Sequence, residues 1–152
     1  MNSLQIQPFN WEEYLNVCLE LQKQHYLKSL NLEEATIRCV LSRSYYSVFN
    51  ITESYLKTTI YKGKPLYKEL YKATQEALLE NLNDLAKSMK REEFKYIRQI
   101  LFELKTFRVN ADYNEIFKNK NKYPQPVTSN MADRSIQLAQ QVIKILNGLN
   151  IK

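Results

Sequence analysis

The chain has 152 residues, 44% hydrophobic and 25% charged, with a formal net charge of +6, the balance of one ordinary soluble globular domain able to bury a core. No apolar run approaches the roughly 20 residues of a membrane span, and the opening MNSLQIQPFNWEEY lacks the basic and apolar regions of a secretory signal, so a cytoplasmic protein with no membrane partner is expected. Cys18 and Cys39 have no second Cys or His at ligand spacing, which argues against a disulfide framework and a metal site; no cofactor is indicated, and two glycines are few for tight-turned strands or a phosphate loop.

In chain order, the first helix opens at NWEEYLNVCLELQKQ, where Asn10 is placed to cap and Glu13 completes a capping box. Trp11, Tyr14, Leu15, Cys18, Leu19 and Leu21 recur at helical spacing. A second helix begins with Asn31 and Glu34 three apart and carries Ile37, Val40, Leu41, Val48, Ile51, Tyr55 and Leu56, stopping near Gly63 and Pro65. A third segment runs from Leu66 to about Met89, with Leu66, Leu70, Ala73, Ala77 and Leu78 in phase and a break possible partway. The fourth starts near Arg91 and buries Phe94, Ile97, Leu101, Leu104 and, more loosely, Phe107. A polar loop with two prolines and a Lys/Asn run precedes the last helix, MADRSIQLAQQVIKILNGL, which ends at Gly148. No repeat or linker divides the chain, so residues 1–152 form one domain with its core over about 10–149. The fold class is all-α, an up-and-down bundle of four to five helices.

Some polar residues fall off the apolar stripes. Arg43, Tyr46, Ser47 and Asn50 lie at i, i+3, i+4 and i+7 of the second helix and share a face. On the fourth helix Arg108 and Asp112 are four apart, with Tyr113 next. Antiparallel packing would bring both sets to one groove. Spacing alone leaves this open against a simple ion pair beside core-edge tyrosines. His25, the sole histidine, has no acidic or nucleophilic neighbour at helical spacing. Lysines alternate with aromatics in YLKTTIYKGKPLYKELYK and FKNKNKY, where phosphate contacts would be easy, while most of the 11 tyrosines read as packing residues.

Three blocks taken together resemble the HEPN superfamily. They are Trp11, Glu13, Tyr14 and Leu15; then Glu34, Ala35, Arg38, Ser42, Arg43, Tyr45, Tyr46 and Phe49; then Arg108, Ala111, Asp112 and Tyr113. The resemblance covers roughly residues 10–146 and is narrowest to stand-alone bacterial and archaeal members. It implies a helical bundle that usually forms a homodimer. Many such proteins are metal-independent endoribonucleases of toxin–antitoxin or other defence systems, often beside a nucleotidyltransferase-type antitoxin partner. Active members use an arginine followed by a histidine on the late helix. The chemistry fits: the RNA 2′-hydroxyl is the nucleophile, histidine moves protons near neutral pH, and a guanidinium stabilises the charged phosphorane.

The chain departs from that pattern where it matters most. Val109 follows Arg108, no histidine lies within four to seven residues of it, and Tyr113 stands where a histidine could be. The resemblance therefore implies an RNA-directed protein with a variant site in which Arg108, Asp112 and Tyr113 are the candidate catalytic residues. Arg43, Tyr46, Asn50, Lys118, Lys120 and Lys122 are the candidate RNA contacts. The alternative is a non-catalytic helical homodimer that binds RNA, serves as a scaffold or binds a partner in the same kind of system.

Overall fold

The computed structural model describes residues 10–23, 33–113 and 129–151, and 81% of them are helical. The helices are α1 (Trp11–Lys23), α2 (Glu33–Thr58), α3 (Thr74–Ser88), α4 (Glu92–Tyr113) and α5 (Ser129–Gly148). A small antiparallel hairpin, β1 (Ile60–Tyr61) and β2 (Lys64–Pro65), sits between α2 and α3. The protein is an all-α bundle.

α2 is the central helix, packed against α1, α4 and α5. Contacts between named residues give the directions. Arg38 of α2 donates to the Ala111 carbonyl near the end of α4, while Tyr46, two turns later, meets Arg108. α4 and α5 are also antiparallel, braced by Arg134–Glu103 at 3.2 Å and by Tyr96 donating to Gln141 at 3.3 Å. A single core joins Leu15 and Cys18 with Val40, Leu41, Val48 and Leu56, and with Phe94, Ile97, Leu104, Leu138 and Val142. Burying each such side chain is worth about 1.5–3 kcal/mol.

Local chemistry sets the helix ends. The Asn10 side-chain oxygen accepts the amides of Glu12 and Glu13 at 3.1 Å each, satisfying two donors that an α-helix leaves open. Both glutamates also complement the positive end of the α1 dipole. α3 ends differently: Lys90 takes a left-handed φ of 52°, and the Arg91 amide bonds back to the Ala86 carbonyl at 3.2 Å.

The expected third helix is shorter than its apolar phase implied. Leu66 to Ala73 are outside it, and α3 begins only at Thr74. Leu66 still enters the core, at 5% exposure, but from an extended segment whose amides are already used. The Leu66 amide bonds to the Thr59 carbonyl and the Tyr67 amide to Leu56, each at 3.0 Å. Asn81 of α3, 3% exposed, then holds the Lys68 peptide on both sides, accepting its N–H at 2.7 Å and donating to its carbonyl at 3.0 Å. These bonds tie the segment to the end of α2 and to α3.

The hairpin itself was not anticipated. Its two-residue turn, Lys62 at φ 50° and Gly63 at φ 77°, has both residues in the left-handed region, the geometry that matches strand twist.

Candidate functional site

α1 and α4 both pack against α2, and Tyr46 of α2 stays open between the contacts, 36% exposed. The preceding residue, Tyr45, points into the core and is 2% exposed. Their rings meet edge to face, 5.4 Å between centroids. Arg108 of α4 lies over this pair, its guanidinium carbon 4.8 Å from the Tyr46 centroid and 5.6 Å from that of Tyr45. Such stacking is worth about 0.5–2 kcal/mol, depending on how dry the site is. Burial pushes the Tyr45 hydroxyl up to about 12, outweighing the opposing pull of Arg108. Tyr45 therefore stays protonated at neutral pH and cannot act there as a base.

Arg43 takes the other flank. Its Nε donates to the Cys39 sulfur one turn earlier, at 2.9 Å, and its guanidinium carbon sits 4.8 Å from the Tyr14 ring of α1. The same cluster holds Cys18, whose thiol donates to the Tyr14 carbonyl at 3.5 Å and is pushed by burial up to about 11. The two arginines thus border Tyr46, Arg43 from α2 itself and Arg108 from α4, each set on a tyrosine ring.

The shared polar face of α2 divides in the fold. Tyr46 is exposed, and Arg43 and Asn50 are half-buried, with the Asn50 amide donating to the Tyr46 carbonyl at 2.7 Å. Ser47 is wholly buried and faces the interior, so it is no part of a surface site. α4 runs through Asp112 and Tyr113, whose side chains lie outside the described set. Lys118, Lys120, Lys122, His25 and Asn31 lie outside the described residues altogether.

Two positions in this neighbourhood escaped assignment from spacing. Arg38 grips the end of α4 through the Ala111 carbonyl, and Tyr45 supplies the buried half of the Arg108 stack. Both belong to the block around SRSYY, but nothing in their spacing separates a packing arginine from a binding one. Among the described residues, no group of three or more His, Cys, Asp or Glu could hold a metal ion, and no helix is long and apolar enough to cross a membrane. No family model, curated protein or solved structure matches the chain.

Proposed function

We propose that this chain is a HEPN-type, RNA-directed protein of the cytoplasm, acting in a defence or toxin–antitoxin setting, and that it grips RNA phosphate at the Tyr46 ridge. The observation that carries this is the stack of Arg108 on Tyr45 and Tyr46. It joins the two separated blocks of the sequence that resemble the family, and it fixes a guanidinium beside an exposed ring. A guanidinium holds its donors in one plane, which suits two parallel bonds to a phosphate. Arg43 on the opposite flank supplies a second cation, and Tyr46 and Asn50 line the ridge between.

Binding is the primary role. Cleavage at this site would have to move protons through Asp112 or Tyr113, since Tyr45 is held protonated and no histidine follows Arg108. A homodimer fits the same region, because Phe102 and Val109 share the open face of α4 and are 64% and 40% exposed. A nucleotidyltransferase-type partner belongs to the proposal through the resemblance alone.

The test uses purified wild-type protein and Arg108→Ala, with helicity checked by circular dichroism and oligomeric state by sedimentation. Salt-dependent binding of single-stranded RNA, lost with Arg108→Ala in a folded protein, supports the proposal, and Arg108-dependent cleavage would add catalysis to it. RNA left both intact and unbound by the wild type removes it.

A further inference from the structure

The positive surplus of the chain is not spread evenly. Residues 57–72 hold five lysines against one glutamate, a local surplus of +4 in a chain of net +6. Lys57 is paired with Glu53 at 3.2 Å, and Lys72 with Glu80. Lys62, Lys64 and Lys68 are exposed, and no ion pair joins them to another described residue. Close by, the Tyr71 ring is fully exposed and touches nothing that would hold it.

This surface is also built. The tight turn at Lys62 and Gly63, the amide bonds of Leu66 and Tyr67 to the end of α2, and the clamp of Asn81 on Lys68 fix its backbone. The backbone that carries the lysines is therefore set before binding, and only side chains are left to order.

We propose that the hairpin and the extended segment after it form a single-stranded RNA-binding site, separate from the Arg108 stack. Lys62, Lys64 and Lys68 contact phosphates, and Tyr71 stacks on a base. The ligand class follows from the pairing of unneutralised point charges with an open aromatic face: single strands offer both phosphates and unstacked bases, whereas a duplex hides its base faces. One face of α2 runs from the first site towards this one, with Glu53 on it paired to Lys57. Tyr46, Asn50 and Lys57 fall at i, i+4 and i+11 of α2, along one face. At about 1.5 Å per residue, the hairpin end of that face is roughly 17 Å from Tyr46. The choice of RNA over DNA rests on the function proposed above; the surface does not.

The experiment measures fluorescence anisotropy of labelled oligouridine with the full chain, across a salt series. Lys62→Gln/Lys64→Gln/Lys68→Gln is expected to lower the slope of log affinity against log salt by about 2, from about 0.7 for each lost phosphate contact. Tyr71→Ala, at a side chain with no packing role, is expected to weaken binding about tenfold. Oligothymidine in parallel separates RNA preference from general single-strand binding, and equal affinity would overturn the RNA assignment. If both variants bind as the wild type does while Arg108→Ala loses binding, the hairpin site is overturned and the Arg108 site stands. Hairpin-dependent binding that Arg108→Ala leaves unchanged supports the hairpin site and removes the phosphate role of Arg108. Hairpin-dependent capture by phosphatidylserine vesicles, with no oligouridine bound, also overturns the proposal.

Discussion

Arg108 lies over a ring pair of which one member, Tyr45, is 2% exposed, whereas Lys62 lies 5.2 Å from the centroid of Tyr61 at the tip of an exposed hairpin. Both contacts set a cation on a tyrosine. In the first, a planar group rests on a ring pair of which Tyr45 is anchored in the core, so packing helps to dictate where the charge sits. In the second, a point charge on a flexible stem rests on a half-buried ring, and only the backbone beneath it is fixed. One region is ordered through side-chain packing and the other through backbone hydrogen bonds. Perturbations should separate them on that basis.

The largest separation is expected from Asn81→Ala. It strips both partners from the Lys68 peptide and should cost about 2–3 kcal/mol in urea unfolding. Hydrogen exchange should rise in residues 66–73 and stay unchanged around Arg108. Equal loosening of both regions would show that the hairpin is coupled to the α2–α4 packing.

Tyr45→Phe probes the other region through pH. The folded protein holds the Tyr45 proton up to about 12, against an ordinary value of 10.0. Folding stability from this group is therefore complete below about pH 10 and is lost as pH rises towards about 12, with a size on the order of 2 kcal/mol. Tyr45→Phe should flatten that part of an alkaline stability profile and leave neutral stability almost unchanged. A wild-type profile that does not fall there would show that Tyr45 is less dry than its packing indicates.

The smallest effect is expected from Lys62→Asn. A side chain at φ 50° is strained, and asparagine before glycine suits this turn better. Thermal melting should show a gain of about 0.5–1 kcal/mol, confined to the hairpin.

The helices were legible because their signals are redundant: the Asn10 cap and a core stripe such as Phe94, Ile97, Leu101 and Leu104 point to the same elements. The hairpin was not, since strands of two residues are too short to alternate and Lys-Gly is a weak turn signal. Leu66 and Leu70 fell in helical phase with α3, which masked an extended segment that is fixed by Asn81 from outside it. The candidate site was half legible. Spacing placed Arg43, Tyr46 and Asn50 on one side of α2, but it could not tell that Ser47 turns inward or that Arg43 leans on α1 while Arg108 crosses from α4. Those outcomes depend on how the neighbouring helices are seated, and α2 does not encode that alone.

The bond from Arg38 to the Ala111 carbonyl reaches into the final turn of α4. Terminal turns are where helices fray first, because their last carbonyls lack partners within the helix. A guanidinium there supplies one such partner and sets a positive charge against the negative end of the helix dipole. Arg108 is only one turn upstream, so its orientation is protected against melting from that end. The arginine that looks least like part of a binding site is then the one that keeps the other arginine aimed.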